Sequence, residues 1–131
     1  MLVDTNVLVD VLENDPDWAD WSIAQLRAQS RVYQLAINPI IYSELSLTFS
    51  TVEALEQVLD KMELRMLEIP RPALFLAGKA FVQYRRSRGI KSNVLGDFFI
   101  GAHAQADGYK LLTRDAGRYR SYFPDIDLIS P

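Results

Sequence analysis

Four acidic residues lie at positions where the surrounding pattern does not require an acid. Asp4 and Asp115 each follow a short apolar run typical of a buried strand, and Asp97 begins a helix after a loop. Glu44 interrupts the apolar helix segment 40–45. In a parallel sheet with right-handed crossovers, strand ends and helix starts share one edge. We therefore expect Asp4, Asp97 and Asp115 to converge although they are far apart in the sequence, with Glu44 as a fourth candidate.

Each of these acids also has an ordinary structural explanation. Asp4 could be only a cap at a strand end, Asp97 a helix-start acid stabilised by the helix dipole, and Asp115 a turn acid. Glu44 could be a solvated residue at the edge of its helix. Other acids are assigned no chemistry and are expected at helix starts or on solvent-facing surfaces: Asp10, Asp15, Asp17 and Asp20.

A cluster of carboxylates needs protons or cations to neutralise it. Two carboxylates about 4 Å apart repel by about 4 kcal/mol at an effective dielectric constant of 20. Oxygen ligands without cysteine or several histidines suit Mg²⁺ or Mn²⁺ better than Zn²⁺. Such an ion activates water and holds a phosphate oxygen, so the acids predict hydrolysis of a phosphodiester without a covalent protein intermediate.

Composition narrows the class of protein. The sequence of 131 residues predicts one domain with its own core, and the absence of cysteine excludes disulfides, thiolate nucleophiles and Cys-based zinc sites. The formal net charge of −3 means that a phosphate partner would need a local basic patch or a bound cation. No apolar stretch approaches the roughly 20 residues of a membrane span, and the start does not resemble a signal peptide. The simplest interpretation is a cytoplasmic protein.

The elements that position the acids follow from hydrophobic periodicity and cap signals. Strands are predicted at 2–3, 32–37, 66–69, 109–113 and 127–129. Helices are predicted at 7–13, from 16 to 30, 39–49, 51–62, 73–87, 97–107 and 116–122, with a loop at 90–96. Alternating strands and helices predict an α/β fold in which helices cover both faces of a parallel sheet.

Several residues are predicted to cap these helices. Thr5 and Asn6 follow the first strand, and Asp15 and Asn38 each precede a proline that suits the first helical position. Ser50 has a glutamate three residues later, which matches a capping box.

Four blocks of the sequence resemble the PIN-domain ribonucleases, and among them the VapC toxins of bacterial and archaeal toxin–antitoxin modules. The blocks are Leu2-Val3-Asp4-Thr5-Asn6, Glu44 after Asn38-Pro39, Gly96-Asp97-Phe98-Phe99-Ile100-Gly101-Ala102 and Leu111-Leu112-Thr113-Arg114-Asp115. The similarity spans essentially the whole chain in length, motif order and spacing. Gly96 stands where such toxins often have proline, and Gly101 where alanine is common.

The resemblance implies a three-layer α/β/α sandwich and Mg²⁺-dependent cleavage of RNA, with Mn²⁺ as a possible substitute. It assigns the catalytic site to Asp4, Glu44, Asp97 and Asp115, with the first, third and fourth of these as metal ligands. Asn6 would orient Asp4, and Thr113 would support the fourth acid through its hydroxyl. A homodimer and a small antitoxin that blocks the acidic pocket are the partners implied.

Basic residues flank the predicted site. One group is Arg85, Arg86, Arg88 and Lys91, and the other is Arg114, Arg118 and Arg120. We expect them to hold the RNA backbone through phosphate contacts, although cations that complement a helix C-terminus are an equal alternative. The aromatic residues are interpreted as core or interface rather than as a base-stacking platform: Trp18, Trp21, Tyr33, Tyr42, Phe75, Phe81 and Tyr84. His103 is expected to be structural, because it lies about 240° around the helix from Asp97.

Two alternatives to the nuclease remain open from the sequence. One is a phosphatase with Asp4 as covalent nucleophile, although such enzymes usually have a second aspartate two residues on, where this chain has Asn6. The other is a PIN-like scaffold that only binds RNA or a protein partner. The sequence names neither the RNA nor the antitoxin, and it leaves open whether one or two ions act.

Overall fold

The computed structural model describes residues 1–87, 89 and 94–131, in which strands and helices alternate. The strands are β1 (Leu2–Val3), β2 (Ala36–Ile37), β3 (Arg65–Met66), β4 (Leu111–Leu112) and β5 (Leu128–Ile129). The helices are α1 (Thr5–Leu12), α2 (Ala19–Ser30), α3 (Pro39–Leu45), α4 (Val52–Lys61), α5 (Arg71–Arg86), α6 (Leu95–Asp107) and α7 (Gly117–Tyr122), and a 3₁₀ turn covers Ser46–Thr48. Arg88, Lys91 and the first part of the predicted loop at 90–96 lie outside the described residues.

The strands form one parallel sheet in the order β3-β2-β1-β4-β5, flanked by helices. Leu2 pairs with both Ala36 and Leu111, which places β1 at the centre. The residues of β1, β2 and β4 are all apolar and buried, as expected for a parallel sheet covered on both faces. The predicted α/β sandwich with a central parallel sheet is therefore confirmed.

The strand order creates a crevice at a defined place. From β1 the chain builds outward to β2 and β3, and it then returns to the other side of β1 to add β4 and β5. Parallel α/β sheets bind ligands where the order reverses, outside the carboxyl ends of the two central strands. In this chain those ends belong to β1 and β4, which lead directly into Asp4 and Thr113.

The first strand has its predicted bounds, and the other four are shorter than predicted. The stretch 32–37 contributes only its last two residues to the sheet, because the backbone N–H of Tyr33 still donates to Gln29 at the end of α2 (2.8 Å). At the other end of β2, Asn38 already caps the next helix, so the strand has no room to continue. The stretches 66–69 and 109–113 are likewise reduced to two-residue strands, the first of them beginning one residue earlier than predicted.

Two of the predicted helix caps form the expected hydrogen bonds. Asn38 caps α3, because its Oδ1 accepts the N–H groups of Ile40 and Ile41 at 3.0 Å. Asp15 accepts two following N–H groups at 2.9 Å as predicted, although the regular helix begins only at Ala19.

Two other cap predictions were wrong. The capping residue of α4 is Thr51 rather than Ser50, since Thr51 Oγ1 accepts the N–H of Ala54 at 3.1 Å. Thr5 and Asn6 lie inside α1, and the cap is Asp4, whose Oδ1 accepts the Thr5 N–H at 2.8 Å.

Helix α6 is the buried centre of the helical layer and packs most extensively against α5. On α6, Gly101 allows close contact with Phe123 at the end of α7, because a Cβ atom at this position would lie 2.4 Å from Cδ2 of Phe123. His103 is fully buried on the same helix, with Nδ1 3.1 Å from the Asn38 side-chain amide, which fits its predicted structural role. None of the helices within the described residues combines the length and apolar character that a membrane crossing requires.

Candidate active site

Asp4 is a buried carboxylate at the carboxyl end of β1, with an exposed fraction of 4%. Thr113 Oγ1 and the Tyr119 hydroxyl both donate to its Oδ2 at 2.9 Å. Burial, together with the nearby carboxylate of Asp97, raises the pKa of Asp4 to about 7, although the two hydroxyl hydrogen bonds oppose the shift. Below about pH 7 this acid is therefore mostly protonated unless a cation approaches.

Asp97 lies in the first turn of α6 and faces the same cleft. Arg118 Nη1 donates to its Oδ2 at 2.5 Å, so a cationic side chain from α7 pairs with this acid. Burial nevertheless raises the pKa of Asp97, because it outweighs the opposing effect of Arg118, and the negative charge of Asp115 adds to the increase. Asp115 is thus close enough to Asp97 for the two carboxylates to repel each other.

These residues surround one polar cleft of about 90 Å³, lined by Asp4, Asn6, Asp97, Asp115, Arg118 and Tyr119. The three aspartates predicted to converge are therefore brought together at the edge where β1 and β4 end. Their assignment as metal ligands stays a prediction.

Glu44 lies beside the cleft, on α3. Its Oε1 accepts the Thr5 hydroxyl at 2.7 Å, and burial raises the pKa of Glu44, with the charge of Asp97 adding to the effect. A Cβ atom at Gly96 would approach Glu44 Oε2 to 3.2 Å. The glycine at this position therefore allows the start of α6 to lie close to the glutamate.

Asn6 and Thr113 link β1, α1 and β4. The Asn6 side-chain amide lies 3.4 Å from Asp4 Oδ2 and 3.3 Å from Thr113 Oγ1, while the backbone N–H of Asp115 donates to Thr113 Oγ1 at 3.1 Å. These are the contacts that the predicted orienting and supporting roles require. The roles themselves stay predictions.

The donor set fits a hard divalent cation in its chemistry. The cleft offers carboxylate oxygens, and the raised pKa values of Asp4 and Asp97 mean that their negative charge lacks sufficient compensation. Arg118 stands where a cation is favourable. In the described parts of the chain, no three acids or histidines lie close enough together to form a ready-made metal site, so a shared ion would require side-chain movement.

Tyr119 is the site residue that the sequence reasoning missed. Its hydroxyl is buried against Asp4, and burial, together with the negative charges of the surrounding acids, raises the pKa of Tyr119 well above its ordinary value. A signal was present, because Ala116, Tyr119 and Phe123 recur at helical spacing and form the buried face around α7. A tyrosine on this buried face, four residues after Asp115, indicates that its hydroxyl lies near the site.

The basic residues near the fourth acid point to different partners. Arg114 Nε donates to Asp10 at 2.8 Å, and Arg120 Nη2 donates to Ser130 at 3.1 Å. Arg85 and Arg86 are exposed at the end of α5. Contact of any of these residues with RNA stays a prediction.

The prediction that Asp10 is a helix-start or solvent-facing acid was wrong. Asp10 has an exposed fraction of 2%, because it lies under α2 and Arg114 rather than on the outer face of α1.

Most of the aromatic residues that were interpreted as core residues do pack against the hydrophobic core, namely Trp21, Tyr42, Phe81 and Tyr84. Phe75 instead has an exposed fraction of 69%.

The site geometry bears on the phosphatase alternative. A nucleophilic aspartate must present a free carboxylate oxygen to phosphorus. In this chain Asp4 Oδ1 accepts the Thr5 N–H and Oδ2 accepts two hydroxyls, so both oxygens are engaged. This arrangement holds the carboxylate in place and does not favour covalent attack.

Comparison with known proteins identifies relatives of the whole fold. A family model described as the PIN domain matches residues 1–123. VapBC2 from Rickettsia felis bound to a promoter DNA fragment is similar with a TM-score of 0.73 at 21% identity, covering 98% of this chain and 96% of that one. VapBC-1 from nontypeable Haemophilus influenzae gives 0.74 at 16%, with coverage of 98% and 96%. A toxin–antitoxin complex from Klebsiella pneumoniae gives 0.65 at 20%, with coverage of 98% and 94%. Among curated proteins, none matches the sequence significantly.

Proposed function

Because this chain belongs to the PIN-domain family, we propose that it is a Mg²⁺-dependent endoribonuclease and the toxin of a VapBC-type toxin–antitoxin pair. One observation carries the proposal. Acids from four separate segments, Asp4, Glu44, Asp97 and Asp115, gather in or beside one polar cleft at the switch point of the sheet. Acids that repel one another are costly to the fold, so their convergence favours a function that uses a cation.

Asp4, Asp97 and Asp115 are the residues that would hold the ion. When bound, Mg²⁺ supplies polarisation of a phosphate oxygen and activation of water. The chain contributes the rest. The hydroxyls of Thr113 and Tyr119 fix Asp4 in one orientation and favour its ionised form.

Glu44 is the residue that we assign as the proton acceptor. Its Oε1 is held by Thr5, which leaves Oε2 as the atom that takes the proton of the attacking water. The raised pKa of Glu44 makes it a better base than an ordinary exposed glutamate. In the reaction, water adds to phosphorus while the P–O bond to the leaving ribose oxygen breaks, and solvent protonates that oxygen.

The partners follow from the family and its neighbours. Structures with the same fold are complexes of toxin and antitoxin, which supports a cognate antitoxin for this chain as well. A homodimer is the second proposed assembly. An antitoxin that covers the cleft would place a positive group against the acids, where Arg118 already shows that a cation is favourable.

The test is incubation of purified protein with structured RNAs in Mg²⁺, in Mn²⁺ and in EDTA, with the product ends mapped. We expect cleavage with either ion and none in EDTA. Asp4→Asn, Asp97→Asn and Asp115→Asn should lose cleavage, and Glu44→Gln should lose about 10²–10⁴-fold of the rate.

The matched control is Asp127→Asn, which removes an exposed acid just before β5, away from the cleft. It should cleave like the parent. RNA binding by the parent without cleavage, equal in Asp4→Asn, would contradict the nuclease and favour the PIN-like binding module.

A further inference from the structure

Asp10 is a buried acid that the proposed mechanism does not use. It lies on α1, one turn beyond Asn6, with an exposed fraction of 2%. Ser22 of α2 donates to its Oδ2 at 3.0 Å, and Arg114 Nε donates to the same oxygen at 2.8 Å. A buried carboxylate without a partner is strongly destabilising, so this acid depends on the arginine.

Arg114 reaches Asp10 from the segment that carries the site. It stands between Thr113 and Asp115, and its guanidinium also lies 5.7 Å from the ring of Trp18. Its backbone N–H donates to Asn6 Oδ1 at 3.3 Å. Arg114 is therefore fixed to α1 at two points one helical turn apart, through its backbone at one end and its side chain at the other.

The two neighbours of Arg114 are sensitive to any shift of this segment. Thr113 Oγ1 donates to Asp4 and accepts the N–H of Asp115, so one hydroxyl joins two acids of the cleft. Only about one peptide unit separates these contacts from the anchored residue. A change in the anchor moves both neighbours together.

We propose that the Arg114–Asp10 ion pair is a positioning device that holds the Thr113–Asp115 segment on α1 and so sets the geometry of the acidic cleft. This inference rests on the proposed nuclease function for its consequence in catalysis. It makes Arg114 a positioning residue rather than an RNA contact. The functional effect passes through Thr113 and Asp115, not through the substrate.

The first test compares Arg114→Gln, Asp10→Asn and the double variant with the parent. Loss of a group that orients metal ligands typically costs 10–100-fold, so we expect each single variant to weaken Mn²⁺ binding by about that factor in calorimetry. The rate kcat for RNA cleavage should fall while KM changes little. The double variant should resemble the single ones, because all three break one contact.

Two further variants control for general destabilisation. Asp127→Asn breaks the exposed Lys110–Asp127 pair, which joins β4 to the last strand from the opposite end, and it should leave Mn²⁺ binding unchanged. Ser22→Ala removes only the second donor to Asp10 and keeps the charge pair, so it should give a smaller loss in the same direction.

A second measurement needs neither metal nor RNA. The Asp115 amide proton is held by Thr113, so its hydrogen exchange should be faster in Arg114→Gln and Asp10→Asn, measured relative to global stability, and unchanged in Asp127→Asn. Unchanged exchange together with unchanged Mn²⁺ affinity would overturn the inference. An increase in KM alone for Arg114→Gln would also overturn it and assign Arg114 to RNA. If the parent fails to cleave RNA but the exchange and Mn²⁺ effects appear, the nuclease proposal fails and the positioning role stands.

Discussion

Replacement of Asp4 by asparagine tests the electrostatics of the cleft without RNA. Burial raises the pKa of Asp4 from 3.8 to about 7, so the folded chain prefers the protonated acid. Asparagine has nearly the same shape and carries no charge. Its carbonyl oxygen accepts the Thr5 N–H, and its amide donates to the hydroxyls of Thr113 and Tyr119. Asp4→Asn therefore keeps the packing and removes the cost of ionisation.

The magnitude follows from the pKa shift. A rise of about three units in the pKa of Asp4 means that folding favours the protonated form over the ionised form by about 4 kcal/mol of free energy. Because the folded pKa is the higher one, the folded chain binds more protons than the unfolded chain between about pH 4 and 7. The stability due to protonated Asp4 is fully present below pH 4 and is lost as the pH rises through 7. About 3 kcal/mol of it is lost between pH 5 and 8.

The assay is urea unfolding of the parent and Asp4→Asn in EDTA at pH 5, 6.5 and 8. The parent should lose about 3 kcal/mol more than the variant over this range, so the variant becomes relatively more stable as the pH rises. The raised pKa values of Glu44 and Asp97 affect both proteins, and the difference isolates Asp4. Addition of Mn²⁺ at pH 8 should stabilise the parent more than the variant. Parallel pH dependences of the two proteins would refute the reasoning.

Three further substitutions test other parts of the structure. Gly101→Ala should lower the urea midpoint, because a Cβ atom 2.4 Å from Phe123 Cδ2 costs about 1–3 kcal/mol of overpacking, which exceeds the helix-propensity gain of up to ~1 kcal/mol. Arg118→Gln should lower Tm in EDTA, because it removes the cation beside Asp97. Addition of Mn²⁺ should then raise the Tm of the variant more than that of the parent. An equal increase in both proteins would contradict competition between Arg118 and the ion. Tyr119→Phe removes a hydrogen bond that lowers the pKa of Asp4, so the pKa of Asp4 should rise. The acidic limb of the pH–rate profile for RNA cleavage should therefore move to higher pH.

Much of the fold follows from local sequence. Continuous apolar pairs such as Leu111-Leu112 predict buried parallel strands, and Asn38 before proline predicts a helix start, because each signal concerns only neighbouring residues. The edge that gathers the acids follows from parallel topology alone. Strand bounds were harder, since pairing with other strands and the start of the next helix decide where a strand ends.

The partners of individual acids could not be predicted in the same way. Asp10 and Arg114 are separated by 104 positions, and Asp4 and Tyr119 by 115. Their contacts depend on how α1, α2 and α7 pack against one another, and the hydrophobic periodicity of the sequence does not predict this packing. Asp10 consequently looked like a surface residue of α1, although the packing of Arg114 and Ser22 buries it.

The contrast between Asp4 and Asp10 explains why only one of two buried acids on neighbouring elements is a candidate for metal binding. Asp10 has its own cation, Arg114, so its charge is neutralised within the fold. The hydrogen bonds that reach Asp4 within the described residues come from neutral groups: the Thr5 backbone amide, the Asn6 side-chain amide and the hydroxyls of Thr113 and Tyr119. Neutral donors orient a carboxylate without cancelling its charge, which leaves a site that gains free energy when a cation arrives. In this chain the partner of each buried acid, rather than the acid itself, distinguishes a structural ion pair from a candidate metal site.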